Sequence, residues 1–309
     1  MKSKSKQAEN MKYTHSICFS TGFAGYILAL GALSAYNEKK RLSTFLPNRG
    51  QFKGANLSMK LIVFSPTGGT HRVAVQLAQS LGGVGQTIDL CCADADFSAV
   101  SFCADDQCIV AVPAFAGRVP AIAVTRLRQI QGHGAAAILV AVYGNRAFED
   151  TLVELHDVLT EQGFQCVAGV GAIAEHSIAR QYGAGRPNAK DLEQLTAFAQ
   201  QIANKLARHD HSTPALPGNR PYRPYSPSPM HPQTDAEQCT NCGTCARACP
   251  VGAIPLDAPQ QTLETCISCM RCIRVCPEQA RALPAALLAG ITQKLQSVCS
   301  QPKQNELFL

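Results

Sequence analysis

Two runs of cysteine constrain the last third of this 309-residue chain more than any other feature. The first is Cys239-Thr-Asn-Cys242-Gly-Thr-Cys245-Ala-Arg-Ala-Cys249-Pro250, and the second is Cys266-Ile-Ser-Cys269-Met-Arg-Cys272-Ile-Arg-Val-Cys276-Pro277. Both read C-x2-C-x2-C-x3-C-P. Structural zinc sites usually use two C-x2-C pairs separated by a longer loop, and two runs of four closed by proline fit that pattern poorly. The spacing is the one that binds cubane iron–sulfur clusters. Three cysteines two residues apart wrap one turn of chain around three corners, while the fourth points away and serves the other cluster. The expected sets are therefore Cys239, Cys242, Cys245 and Cys276 for one [4Fe–4S] cluster, and Cys266, Cys269, Cys272 and Cys249 for the other. Pro250 and Pro277 would turn the chain after each run. Small residues at Gly243, Thr244, Ala246 and Ser268 would let backbone N–H groups approach the sulfides.

Upstream the pattern changes. Lys60–Phe64, Gln86–Leu90, Cys108–Val112, Ala135–Val142 and Gln165–Ile173 read as five strands. Between and after them, Thr70–Leu81, Ala121–Gln131, Phe148–Glu161 and Ala189–Arg208 read as helices. Such alternation predicts an α/β domain over 59–208 with a parallel sheet covered on both faces. Residues 209–235 hold seven prolines and are expected to be a semi-extended linker. The cysteine segment, 236–284, would be a small α+β two-cluster domain. A tail at 285–309 has Leu287, Leu288, Ile291 and Leu295 at helical spacing, suited to packing on a neighbouring domain.

Ser65-Pro-Thr67-Gly68-Gly69-Thr70 lies between the first strand and the first helix. Hydroxyls and backbone N–H groups at a helix N-terminus make an anion site. No Lys follows the glycines, so this is not a Walker loop, and it is not a G-x-G-x-x-G fingerprint either. Taken alone it is also compatible with a plain helix cap. Val112-Pro-Ala-Phe115-Ala-Gly117-Arg118-Val-Pro120 follows the third strand, and Val142-Tyr143-Gly144-Asn145-Arg146 follows the fourth. In a doubly wound sheet these strand ends meet at the edge where ligands bind.

The loop at 65–70 resembles the phosphate loop of flavodoxins, which grips the FMN phosphate with neutral groups. Together with the cysteine runs, the chain from about residue 59 onward resembles a family of flavodoxin–ferredoxin fusion proteins found in anaerobic bacteria and archaea. The marks are Ser-Pro-Thr-Gly-Gly-Thr at 65–70, Gly-Arg-Val-Pro at 117–120, Gly-Asn-Arg at 144–146, Glu175-His176-Ser177, Gly185-Arg186-Pro187 and the closing Glu306-Leu-Phe-Leu309. The resemblance implies a flavodoxin-like doubly wound five-stranded sheet, FMN and two [4Fe–4S] clusters. On that basis Ser65, Thr67, Gly68, Gly69 and Thr70 would hold the phosphate, and Phe115 and Tyr143 would flank the isoalloxazine ring. Backbone near Gly117, Gly144 and Asn145 would reach the ring's polar edge, and Arg118 or Arg146 would offset charge on reduced flavin. His176 and Arg186 follow the fifth strand and are candidates for a substrate or docking pocket, against a plain reading as surface residues.

The formal charge of +6 sits almost wholly in residues 1–58, which carry nine Lys/Arg and two Asp/Glu. The rest is near neutral, which excludes the clustered basic face a nucleic-acid binder needs. Residues 16–37 carry no charge and are long enough to span a bilayer. The region before Met59 reads three ways: a tail or start-site artefact, a membrane anchor, or a cleaved signal. Iron–sulfur ligation by free thiolates points to a reducing compartment and hence to the cytoplasm. Cys91, Cys92, Cys103, Cys108 and Cys166 read as small apolar core residues. The functional expectation is an electron relay between redox partner proteins. Two alternatives are a flavin-dependent reductase of a small-molecule acceptor fed by the clusters, and a ferredoxin module beside a flavodoxin-like domain that no longer binds flavin.

Overall fold

The computed structural model describes residues 58–226 and 230–309. The sequence reading of residues 16–37 as a membrane segment or signal lies outside these residues. Among the described residues, no helix is long and apolar enough to cross a membrane.

Five parallel strands form the sheet: β1 (Met59–Val63), β2 (Val84–Asp89), β3 (Gln107–Pro113), β4 (Ala136–Tyr143) and β5 (Gln165–Ile173). Their order is β2-β1-β3-β4-β5, the flavodoxin-type doubly wound arrangement. β4 is buried at every residue, as expected of a strand covered on both sides. Alternate residues of each strand feed different cores. On one face, Leu61, Val63, Ile109, Ala111 and Val140 meet α1 (Gly69–Ser80) and α4 (Ala189–Ala207). On the other, Ile62, Val110, Val112 and Leu139 meet α2 (Ala121–Leu127) and α3 (Thr151–Glu161). Apolar spacing explains the docking of α1, whose Val73, Ala74, Leu77 and Ala78 are buried. α4 starts with a capping box between Asn188 and Asp191.

Helix α2 ends at Leu127, four residues short of the expected Gln131, because the N–H groups of Gln129 and Ile130 bond three residues back, to Arg126 and Leu127, and close the last turn. Strand β8 (Glu306–Phe308) was not expected. It adds to β5 in antiparallel fashion and extends the sheet to six strands. The cysteine segment contains a two-stranded ladder of β6 (Gln233–Thr234) and β7 (Arg281–Ala282), with the short helices α5 (Thr244–Arg247) and α6 (Arg271–Val275). Helix α7 (Ala285–Cys299) then returns the chain to the sheet.

Among its described residues the proline-rich segment has no helix or strand before β6, but it is not a free linker. Leu216 packs into the sheet core against Gly169. The Asp150 carboxylate accepts the Asn219 N–H (2.9 Å), the Asn219 side-chain amide (3.0 Å) and the Arg223 N–H (2.7 Å). Asp157 takes Arg220 and Tyr222. The segment is a strap laid across α3.

Candidate functional site

The cysteine segment repeats its backbone as well as its sequence. Left-handed φ angles at Asn241 (55°), Gly243 (70°) and Gly252 (63°) recur at Ser268 (54°), Met270 (61°) and Gln279 (54°). Non-glycine residues pay for this conformation, so its repetition marks a turn that the site requires. Each left-handed residue at 243 and 270 opens a short helix carrying the third cysteine, Cys245 or Cys272.

Cys239, Cys242, Cys245 and Cys276 line one small cavity together with Gly243, Thr244 and Arg281. Cys276, the last cysteine of the second run, is thus grouped with the first three of the first run. Reciprocally, Cys249 lies close enough to Cys266, Cys269 and Cys272 to act electrostatically on each of them. Burial pushes the Cys269 thiol up to about 12 and the Cys272 thiol up to about 11, with the neighbouring thiols adding to both. Cys242 is exposed, and the hydroxyl and N–H of Thr244 hold it below the ordinary thiol range. Backbone N–H groups already aim at sulfur: Ala253 N–H at Cys249 (3.2 Å) and Ser268 N–H at Cys266 (3.5 Å). Eight soft donors in two groups of four, met by N–H groups, suit iron–sulfur chemistry. Among the described residues, no three His, Cys, Asp or Glu side chains are grouped as a single-ion site.

A larger cavity, about 360 Å3, opens at the C-terminal ends of β1, β3, β4 and β5. Of the residues expected to bind a cofactor, Thr67, Gly69, Thr70, Phe115, Tyr143 and Gly144 line it. Gly68 (φ 95°) sits in the left-handed region at the start of α1, which a side chain rarely adopts. Ser65 accepts the His71 N–H (3.0 Å) instead of facing the cavity. Phe115 stands edge-on to Phe64. Tyr143 packs edge-on to Phe148 and donates to the Gln304 carbonyl (3.1 Å). Burial raises its hydroxyl to about 12, so it stays protonated.

The remaining expected residues serve other ends. Arg118 is turned away from the cavity: Nε and Nη2 both reach Glu154 at 2.7 Å, Nη1 donates to the Arg223 carbonyl (2.5 Å), and the group lies 4.7 Å from the Tyr222 ring centroid. Its role in offsetting flavin charge is corrected accordingly; it fastens the strap. Gly117 lies against the Glu149 side chain outside the cavity. Asn145 donates to the carbonyls of Cys299 (2.6 Å) and Gln301 (3.0 Å) and accepts the Lys303 N–H (3.0 Å), which ties down the tail beyond α7. Gly144 leaves room for His176, whose ring carbon would stand 2.6 Å from any added Cβ.

Arg146 lines the cavity but is held by Glu149 through two 2.8 Å bonds. His176 also lines it. Its Nδ1 accepts the N–H groups of Ile178 and Ala179, both at 3.1 Å, so a neutral ring carries its proton on Nε2. Burial, then the Arg146 charge, brings its pKa down to about 4. Arg186 is outside, paired with Asp191 and the Lys303 carbonyl. Cys91, Cys108 and Cys166 are buried thiols, Cys92 is half-buried, and Cys103 is exposed.

The sequence reading did not assign several wall residues to this cavity: Tyr225 from the strap, Ile267, Ser268 and Cys269 from the second cysteine run, and Lys294 from α7. They are brought in by contacts between distant segments. Arg126 is buried and donates to the carbonyls of Leu90 (2.5 Å) and Pro250 (2.6 Å). Arg271 reaches from the second run to the Ser65 carbonyl (3.5 Å) and Asp89 (4.0 Å). Cys269 therefore belongs both to the second thiol group and to the wall of the sheet-edge cavity.

Residues 231–277 match the family model described as a 4Fe-4S dicluster domain. No curated protein sequence matches the chain significantly. Among solved structures, a flavodoxin from Streptococcus pneumonia TIGR4 overlaps with 19% identity, 48% of this chain, 98% of its own and a TM-score of 0.35. Oxidised flavodoxin 1 from Bacillus cereus gives 17% identity, 47% and 97% coverage and 0.35. Rubredoxin oxygen:oxidoreductase from Desulfovibrio gigas gives 22% identity, 48% and 36% coverage and 0.35. The strand order β2-β1-β3-β4-β5 is what makes the sheet flavodoxin-like. By that order and by its matched segment, the chain joins an α/β domain of flavodoxin-type strand order to a segment similar to 4Fe-4S dicluster domains.

Proposed function

We propose that the chain is an electron relay that holds two [4Fe–4S] clusters on eight cysteines and FMN in the sheet-edge cavity, serving redox partner proteins. Cys239, Cys242, Cys245 and Cys276 would hold one cluster, and Cys249, Cys266, Cys269 and Cys272 the other. The observation that carries the reading is the crossing of the thiol groups, with Cys276 on the cavity of the first run and Cys249 beside the second. A single-ion site has no use for that exchange, whereas a pair of cubanes does. Bound clusters supply one-electron transfer, and bound flavin links it to two-electron chemistry.

The chain's own residues supply the setting. Thr67, Gly69 and Thr70 offer neutral hydroxyl and N–H groups at the start of α1, suited to a phosphate. Phe115 and Tyr143 give the cavity aromatic walls. Ile267–Cys269 close it from the cysteine side and shorten the path between the cavity and the second thiol group.

A second reading, a reductase of a small-molecule acceptor, is favoured by His176. Its neutral ring presents an Nε2–H near Arg146 at the cavity. Turnover of quinones or nitroaromatics against transfer to one-electron protein carriers separates the two. The founding test is anaerobic purification and reconstitution with iron, sulfide and flavin assays. Roughly eight iron and one FMN per chain are expected. Zinc in place of iron overturns the cluster reading, and iron without flavin leaves only a ferredoxin module.

A further inference from the structure

The two cysteine runs are offset by 27 residues, from Cys239 to Cys266 and from Cys249 to Cys276. The same offset pairs Cys249-Pro-Val-Gly-Ala253-Ile254 with Cys276-Pro-Glu-Gln-Ala280-Arg281. Ala253 and Ala280 are both buried, and Ile254 packs in the small core between the runs. Its counterpart is Arg281, which is only 2% exposed. One half buries an aliphatic side chain where the other buries a guanidinium.

A buried charge without an opposite charge is costly. The partners of Arg281 are the carbonyls of Pro259 (2.8 Å) and Pro232 (3.3 Å), the Thr262 hydroxyl and the Cys245 sulfur (3.9 Å); none is a carboxylate. Its Nε–H is buried and has no partner. The group lines the cavity closed by Cys239, Cys242, Cys245 and Cys276. Its charge also acts on the thiol of Cys272, a member of the other group. One cation therefore bonds a sulfur of one set and acts electrostatically on a sulfur of the other.

We propose that Arg281 is the shared counter-cation of the two clusters, a positioning residue that raises both reduction potentials. The inference rests on the cluster reading above. A fixed positive charge beside cluster sulfur favours the form with one more negative charge, and it does so strongly where water is excluded. It also accounts for the departure from Ile254, since apolar packing alone would be served by the aliphatic residue.

The test uses the full chain reconstituted anaerobically, with iron and sulfide content measured and both couples followed by EPR during reduction with dithionite. Arg281→Lys, which keeps the charge, is expected to load fully and hold both couples near the parent. Arg281→Gln is expected to lower both by at least a tenfold change in reduced-to-oxidised ratio at fixed potential, about 59 mV for a one-electron couple. If the glutamine variant loses iron and the lysine variant keeps it, the charge requirement appears in assembly and the proposal stands. Unchanged potentials in Arg281→Gln, movement of only one couple, or loss of iron from both variants overturns it. Failure of the parent chain to bind iron is a separate result that removes the cluster reading itself.

Discussion

Replacing Asp150 by alanine should release the strap from α3 without unfolding the sheet. Asp150 is the N-cap residue of α3, yet its carboxylate makes no capping bond to the helix. It is instead committed to the strap, accepting two N–H groups from Asn219 and one from Arg223 at 2.7–3.0 Å. Hydrogen bonds to a charged group contribute about 1.5–3 kcal/mol each. Water can replace part of that loss because the strap is half-exposed, leaving roughly 2–4 kcal/mol for the local closure. That corresponds to about a 30- to 700-fold rise in the open population. Hydrogen exchange at residues 217–225 should accelerate by this range, while β4 and β5 stay protected. Asp150→Asn, which keeps an acceptor oxygen, should fall between the two.

The pH dependence has a definite sign. Burial alone would raise the Asp150 pKa, but the N–H groups of Arg223 and Asn219 outweigh it and hold the carboxyl below the usual range. A depressed folded value means that the contribution is present above the unfolded pKa of about 3.9 and is lost as pH falls below it. Asp157, lowered chiefly by Arg220, loses its grip in the same direction. Exchange in the strap should therefore rise on acidification below about pH 4 in the parent and change less in Asp150→Ala. Unchanged exchange at 217–225 in Asp150→Ala would refute the reasoning and shift the anchoring to Leu216 and Asp157.

Cys276→Ser should lower iron from roughly eight to four per chain and expose Cys239, Cys242 and Cys245 to alkylation, while Cys249→Ser should expose the 266/269/272 trio. The opposite footprint would mean that each run binds its own cluster. The His176 ring should titrate by NMR with a midpoint near 4, so it is neutral across the physiological range. Because its folded pKa lies below the unfolded value of about 6.5, stability should decline as pH falls from there toward 4, and Phe or Leu at 176 should flatten that slope. Phe308→Ala should cost roughly 1–2 kcal/mol, read as a lower melting temperature, because the partly buried ring packs edge-on to Phe148 and against Gly169. Arg126→Met should speed proteolysis within 230–284, since the Pro250 carbonyl loses its 2.6 Å donor.

The parts legible in the sequence are those set by local periodicity or by fixed spacing. β5 falls on Gln165–Ile173 as expected, because a long apolar run bounded by polar residues leaves one placement. The crossing of Cys249 and Cys276 follows from three- and two-residue spacing that points the fourth thiol away. What was not legible depends on partners far along the chain. Arg118 follows a strand end at the ligand edge, as a flavin contact would, but Glu154 lies one helical face away and captures it. Asn145 looked like a cofactor contact from its loop, and its amide instead serves carbonyls more than 150 residues later. Three residues at 306–308 are too few to show an alternating pattern, so β8 had no sequence signal beyond its apolar character.

The proline-rich segment shows where composition misleads. A run with seven prolines cannot build a core of its own, but it can still lie on one that exists. Proline lowers the entropy lost when the strap is fixed, which favours such a use. The cysteine module is consequently held at its upstream end by the strap on Asp150 and Asp157 and at its downstream end by α7, Asn145 and β8. Arg126 and Arg271 pin its middle to the sheet domain through Pro250 and Ser65. A flexible tether would only raise the effective concentration of one module near the other. Four anchors do something different: they fix which thiol group faces the cavity, through Cys269, and leave Cys242 of the other group at the surface. The geometry of any exchange between the two modules is then a property of packing, open to single substitutions at the anchors, and no longer a matter of linker length.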